Sequence, residues 1–301
     1  MKYEETATAL TIGMPVYNDV RFIQQSLESI LNQTFQNFEL IISDDGATDG
    51  SELICQKYAK KDLRIKYIRQ PKNLGISKNM EFLYAQANKK YFMWAGDDDL
   101  IAPTFIEKLI NSLENNPNAI SAFCTFNTID ENGKLIFEKE NFDYSDPSKI
   151  KRLKKFIKNS NDIFGYGIFL TKKIAGVKFP IWWWPNKKCP YNNIFPSLCF
   201  YLAKGNYIHN HGEPLFFKRE KSQKFSNYST PFSSNGLKDT LAFILRRFYL
   251  VCFSSKMITK GSGVSLALYF FPSLILHWFI IPSWQQFKLV IANLIKKSEN
   301  K

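Results

Sequence analysis

Within the first 126 residues, four short apolar runs alternate with segments whose apolar residues recur at helical spacing, and this alternation restricts the fold more than any other feature of the chain. Leu10–Pro15, Phe38–Ser43 and Tyr91–Ala95 read as buried strands, and Arg64–Arg69 alternates polar with apolar as a half-buried one. Between the first two, Phe22, Ile23, Leu27, Ile30 and Leu31 share one helical face. Asp49 and Glu52 form a capping-box pattern ahead of a second helix, Ile76–Asn88 reads as a third, and a fourth starts at Pro103 and runs to about Asn116. A strand over Ala119–Phe126 follows, then Asp130-Glu131-Asn132-Gly133 as a hairpin turn. Parallel neighbours need crossover connections, so this order predicts an α/β layer: a mostly parallel central sheet with helices on both faces.

In such sheets ligands bind beyond the carboxyl ends of the strands. Pro15, Tyr17 and Asn18 follow the first strand, Asp44 and Asp45 the second, Asn73 and Gly75 the third, and Asp97, Asp98 and Asp99 the fourth. Three adjacent carboxylates repel one another and need donors or a cation, and oxygen-only ligands suit a hard ion, Mg²⁺ or Mn²⁺. An isolated acidic triplet reads first as a solvated, helix-capping turn. Four strand ends offering aromatic, amide and carboxylate groups to one crevice point instead to a nucleoside diphosphate site. No Gly-x-Gly-x-x-Gly follows the first strand and no Gly-x-x-x-x-Gly-Lys-Ser/Thr occurs, which argues against a dinucleotide oxidoreductase and a P-loop NTPase.

Taken as a set, Thr11-Ile12-Gly13-Met14-Pro15-Val16-Tyr17-Asn18, Ser29-Ile30-Leu31-Asn32-Gln33-Thr34-Phe35, Phe38 through Asp49, Asn73-Leu74-Gly75 and Asp97-Asp98-Asp99 resemble family 2 glycosyltransferases of the GT-A fold, over the first third to half of the chain. The resemblance implies a sugar-nucleotide donor, of UDP or dTDP type, and inverting transfer to a glycan or lipid-linked acceptor in surface polysaccharide synthesis. It implies Pro15 and Tyr17 around the nucleobase, with Asn18 beside them, Asp44 or Asp45 accepting from the base, and Asn73, Gly75 and Lys78 along ribose and phosphates. The acidic triplet stands at the family's DxD motif. In the commoner Asp-x-Asp-Asp pattern the first Asp aligns with Gly96, so Asp98 is the principal metal ligand with Asp97 and Asp99 assisting; the literal frame Asp97-x-Asp99 stays open. The family's catalytic base, a Glu-Asp pair ahead of a helix, aligns with Pro190-Tyr191-Asn192-Asn193-Ile194, where amides stand instead. Glu213 and Asp162 are the alternatives, together with a carboxylate of the first half. The missing acids leave a second reading: a non-catalytic sugar-nucleotide or glycan-binding subunit of an assembly complex.

The net charge of +13 divides into −6 over residues 1–150 and +19 over 151–301. A basic second half suits phosphates, of nucleic acid or of an anionic membrane surface. No nucleic-acid motif accompanies it, and residues 261–287 carry no charge, so a membrane is the expected partner. Pro272 and Pro282 interrupt that run, and basic residues flank both its ends. Dipping into or lying on the cytoplasmic leaflet is therefore favoured over spanning, with burial inside the protein or a homo-oligomer the alternative. Ile181-Trp182-Trp183-Trp184-Pro185 suits acceptor stacking or core packing equally, and His209 with His211 suits ordinary strand residues better than a metal pair. Five cysteines without CxxC spacing predict reduced thiols, and the opening Met-Lys-Tyr-Glu-Glu carries no apolar signal core. The organisation expected is a GT-A domain over 1–235, divided at 126/127 into nucleotide and acceptor halves, and a basic, apolar helical region over 236–301, the whole at the cytoplasmic face of the cell membrane.

Overall fold

The computed structural model describes residues 9–159, 161–182, 191–192, 194–221 and 237–283. In chain order the first elements are β1 (Leu10–Val16), α1 (Ile23–Leu31), β2 (Phe38–Asp44), α2 (Ser51–Lys61), β3 (Ile65–Arg69), α3 (Ile76–Gln86) and β4 (Tyr91–Trp94). Then come β5 (Leu100–Ile101), α4 (Phe105–Glu114), β6 (Ala119–Cys124), β7 (Phe126–Ile129), β8 (Leu135–Glu140), α5 (Lys149–Asn159) and β9 (Ile168–Leu170). The last are β10 (Ile181–Trp182), β11 (Tyr191–Asn192), α6 (Phe195–Lys204), β12 (Asn206–Asn210), β13 (Phe216–Arg219), α7 (Leu237–Ser262) and α8 (Val264–Leu274). Contacts group them into two units.

The first unit takes in residues 9–147, 161–176 and 205–221. Among the described residues its main sheet has the order β12-β6-β9-β4-β1-β2-β3. Every pairing is parallel except those of β9, which runs antiparallel to β4 and β6. The sheet is thus the α/β layer the sequence predicts, with one strand reversed. Ile163–Tyr166 form a 3-10 turn, closed by Gly165 N–H to the Asp162 carbonyl and Gly167 N–H to the Phe164 carbonyl, and strand pairing begins at Ile168. The strand read as Ala119–Phe126 breaks at Thr125, whose N–H bonds to the Asn210 carbonyl while its own carbonyl accepts from Leu215. The chain there passes into a smaller sheet, β5-β13-β7-β8. Leu100 and Ile101 pair with Phe217 and Phe216, so the helix after them starts at Phe105, two residues beyond Pro103. The hairpin of β7 and β8 turns where expected, with Asp130 accepting from the Asn132 and Lys134 N–H groups.

The second unit takes in residues 148–159, 177–182, 191–192, 194–204 and 237–283. The helix α5 buries Arg152, Leu153, Phe156 and Ile157 and exposes Lys149, Lys151, Lys154, Lys155 and Lys158. The Arg152 guanidinium donates to the Leu202 carbonyl at 3.1 and 3.3 Å, near the end of α6 where carbonyls lack helical partners. Trp278 Nε1 donates to the Ile157 carbonyl at 2.9 Å, and its ring meets Phe156 and Phe195 edge-on and tilted. After α8 the helix widens to π register over Ile275–Ile280, just beyond Pro272, whose missing N–H opens the regular ladder. The continuous helix Val264–Ser283 is long and apolar enough to cross a membrane, by length and composition. Ala267, Phe270, Leu274 and Trp278 are buried along one face, whereas Val264, Leu268, Tyr269, Phe271, Leu276 and Ile280 are exposed. The boundary expected at 235/236 and the tail from 284 lie outside the described residues, as do Trp183, Trp184 and Asn193.

Candidate functional site

Register sets the geometry at the strand ends. Val16 lies opposite Asp44, and Asp44 opposite Arg69, so β1, β2 and β3 finish level. The last bridge of β4 to β1, Trp94 to Gly13, is followed by Ala95 N–H to the Gly13 carbonyl, which brings Gly96 and Asp97 up beside Tyr17. Tyr17 N–H donates to Asp97 Oδ2 at 3.3 Å, joining the first and fourth strand ends. The Tyr17 side chain is exposed, Pro15 is half-buried, and Asn18 Oδ1 accepts from Thr48 N–H at 2.8 Å.

Asp44 and Asp45 are both buried and both engaged within the protein. Asp44 accepts from Ala47 N–H at 2.7 Å, the Tyr67 hydroxyl at 2.5 Å and Arg69 at 2.6 Å. Asp45 accepts from Leu74 N–H at 2.6 Å and Gly75 N–H at 2.9 Å, and its carbonyl accepts from Asn73 Nδ2 at 3.1 Å. The loop 73–75 is thereby tied to the end of β2. Burial raises the Asp45 carboxyl above its ordinary value, against the pull of the two N–H groups. Lys78, in the first turn of α3, is exposed and paired with Glu81 at 3.2 Å.

The acidic triplet divides. Asp97 and Asp98 join Asp19, from the loop after β1; each offers one oxygen, and these three atoms lie within 4.8 Å of one another. Asp99 turns to β13, where its Oδ1 accepts from Arg219 N–H at 2.8 Å, while its carbonyl accepts from Ser26 Oγ at 2.8 Å. The chain is close-packed at Gly96: a Cβ there would lie 2.7 Å from Asp99 Oδ2 and 3.1 Å from Asp98 Oδ1, so a larger residue would shift those carboxylates. Burial is the main cause that raises these acids, to about 6 for Asp19 and about 8 for Asp99, and well above the ordinary range for Asp97, with the neighbouring carboxylates adding to it. Crowded oxygens whose charges are poorly hydrated form a donor set that fits a hard divalent cation, with Asp19, Asp97 and Asp98 as the residues to hold it.

Two cations of the chain already stand there. Lys221 Nζ bridges Asp19 Oδ2 and Asp98 Oδ2, the latter at 2.7 Å. Among the described residues, the Arg219 guanidinium meets no carboxylate. It donates to the carbonyls of Asp98 at 2.8 Å and of Asp130 and Glu131 at 3.2 Å, and to Gln25 Oε1 at 2.8 Å, with the Phe22 ring below. Sequence reading missed Asp19 and Lys221. The available signal was period two in Phe217-Lys218-Arg219-Glu220-Lys221, which puts Arg219 and Lys221 on one side of the chain. The candidate bases lie with other partners: Glu213 is exposed and pairs with Lys139 at 3.2 Å, and Asp162 lies 3.8 Å from Lys218. His209 is buried against the Tyr207 hydroxyl at 2.9 Å, and His211 faces Asn141 at 3.2 Å and Asp143 at 3.4 Å.

An uncharacterized glycosyltransferase of Rickettsia bellii is 38% identical to this chain over 128 residues, which are 42% of this chain and 18% of that protein. The chain therefore spans less than a fifth of that relative's length. Among solved structures, S. aureus TarS 1–349 in complex with UDP-GlcNAc superposes with a TM-score of 0.57 at 16% identity, covering 84% of this chain and 71% of that one. The mannosyltransferase PcManGT from Pyrobaculum calidifontis, in complex with GDP-Man and Mn²⁺, gives 0.56 at 15% identity, covering 97% and 76%. At such identities these two show a shared fold, the GT-A fold. A sequence profile described as Glycosyl transferase family 2 matches residues 11–177, more than half of the 301. With that match over the strands and loops that build the acidic cluster, the chain belongs to glycosyl transferase family 2.

Proposed function

We propose that this protein is a metal-dependent inverting glycosyltransferase that takes a sugar from a UDP- or dTDP-type donor and transfers it to a glycan or lipid-linked acceptor. The observation that carries this reading is the assembly of Asp19, Asp97 and Asp98 oxygens within 4.8 Å of one another, beyond the ends of β1 and β4. A bound Mg²⁺ or Mn²⁺ would neutralise the diphosphate as the bond to the sugar breaks. Asp98 and Asp97 would hold the ion with Asp19, while Asp99 holds β13 against the acidic loop. Pro15, Tyr17 and Asn18 would receive the base with Asp44 and Asp45 behind them, and Asn73, Gly75 and Lys78 would line ribose and phosphates. The acceptor hydroxyl needs a base, and Asp162 and Glu213 remain its candidates.

Calorimetric titration with UDP and dTDP in the presence and absence of Mn²⁺ tests the reading. Binding that needs the metal, and that Asp98→Ala abolishes in a folded protein, supports it. Binding without turnover of any donor–acceptor pair would assign the non-catalytic subunit instead, and no metal-dependent nucleotide binding would overturn both.

The reaction would take place at the cytoplasmic face of a membrane. Support comes from the exposed apolar face of Val264–Ser283 and from the lysines of α5, which belong to the same unit. Lys149 and Ile150 of α5 share an open groove of about 370 Å³ with Ser262, Ser265, Leu266 and Tyr269. Apolar side chains beside a row of ammonium groups match an anionic lipid surface.

A further inference from the structure

The ammonium of Lys221 sits where the charge balance of the acidic cluster is decided. Its side chain is 14% exposed, and it meets two of the three carboxylates that form the candidate metal site, Asp19 and Asp98. The Phe22 ring lies 5.3 Å from Nζ. The neighbouring Arg219 is committed to carbonyls and an amide, so its position does not depend on whether the carboxylates are otherwise satisfied. Lys221 differs: it is a single point charge on a flexible stem, and among the described residues its ammonium meets the two carboxylates and the ring.

We propose that Lys221 is a built-in counter-ion that competes with the divalent metal for Asp19 and Asp98 and leaves the pair when the metal binds. The inference rests on the metal-site reading above. Two cations cannot share one pair of carboxylate oxygens a few ångströms apart without strong repulsion in a half-buried setting. With Lys221 in place, the charge of the cluster is compensated in part, and the fold tolerates it without metal. Once displaced, the ammonium is free beside the position of the donor phosphates, so metal and diphosphate binding reinforce each other. Lys221 is thus a positioning residue that sets metal affinity, and the apo protein stays stable at the cost of weak binding of metal alone.

The test measures Mn²⁺ binding to the full chain without nucleotide, by calorimetry and by the electron paramagnetic resonance signal of free Mn²⁺. Lys221→Met keeps the apolar stem and removes the charge, and it should tighten Mn²⁺ roughly tenfold or more, the scale of one charge–charge contact at a partly buried site. Lys221→Arg should stay near wild type, and Asp98→Asn should lose binding in either background. In the wild-type protein, acylation of Lys221 mapped by mass spectrometry should be slow without Mn²⁺ and fast with it. This second measurement stands even where Lys221→Met fails to fold. Equal or weaker Mn²⁺ affinity in folded Lys221→Met, or unchanged Lys221 labelling on saturation with Mn²⁺, overturns the proposal. So does the absence of Mn²⁺ binding to both forms. Nucleotide binding is measured separately, so the counter-ion role can fail while the glycosyltransferase reading survives.

Discussion

Asp44 and Asp45 are adjacent in the chain and meet different partners. Asp44 holds Arg69 and the turn to Ala47, whereas Asp45 receives two N–H groups from the loop 73–75. Removing the Asp45 carboxylate leaves Leu74 N–H without its acceptor, at about 1–3 kcal/mol, while Gly75 N–H keeps Asn73 Oδ1 at 3.0 Å. Asp45→Ala should therefore lower stability in urea unfolding by that amount and weaken UDP binding, with Asp45→Asn intermediate; a change within a few tenths would show the loop held by other means. Cys55 makes a pH prediction. Burial first, then the nearby Asp44 charge, pushes its thiol up to about 12. Above the ordinary thiol value of about 8.5 the unfolded chain releases this proton and the folded chain keeps it. The folded state then binds more protons, so stability falls as pH rises from about 9 towards 12. Thermal unfolding at pH 8 and at pH 10.5 should show that fall, with a shallower one in Cys55→Ala. Among the described cysteines, Cys252 is the exposed one and should be labelled first by a thiol reagent in the native protein.

At the scale of elements, α6 and α7 pack closely because α7 carries Gly261 at the contact. A Cβ there would lie 2.9 Å from the Ala203 Cβ and 3.0 Å from the Phe200 carbonyl oxygen. Gly261→Ala gains about 1 kcal/mol of helix propensity but pushes against backbone, which costs about 1–3 kcal/mol. The clash should win, so the variant should be less stable, and Ala203→Gly should restore part of the loss. A double-mutant cycle by thermal unfolding reads that coupling; additive effects would place the strain elsewhere. Helix starts show the same dependence on neighbours. Asp49 and Glu52 do bond around the start of α2, but through Ser51 N–H and Gly50 N–H, with Gly50 as the cap residue. The capping chemistry was legible, and the residue that takes the cap position followed from Asp49 also accepting Val20 N–H at 2.8 Å.

For the whole molecule, the charge asymmetry between the halves of the chain acquires a local meaning. Five exposed lysines lie on one helix, α5, within the unit that also contains the apolar Val264–Ser283 helix. The protein should sediment with vesicles containing phosphatidylglycerol and stay free of neutral ones. Raising salt should release it in part, since screening weakens the lysine contribution and leaves the apolar one. Reversing Lys154, Lys155 and Lys158 to Glu should cut binding about a hundredfold or more, at roughly 1 kcal/mol or more per charge. Replacing Leu268 and Phe271 by Ser should reduce the salt-resistant fraction. Equal binding to neutral and anionic vesicles would remove the charged surface from the reading.

The sequence by itself determined the alternation of strands and helices, the loops at four strand ends, the family, and the acidic triplet Asp97–Asp99, because each of these is written in local periodicity and short motifs. It did not determine which carboxylates meet. Asp19 joins Asp97 and Asp98 from nearly eighty positions away, Asp99 turns aside to β13, and Lys221 arrives from more than a hundred and twenty positions further along the chain. β9 runs against its neighbours, and β5 exists only because Phe216 and Phe217 lie beside it. Those outcomes belong to the tertiary structure, since strand register and the burial of charge depend on partners distant in sequence, and no local pattern encodes the distance between two side chains that meet only after the sheet has formed.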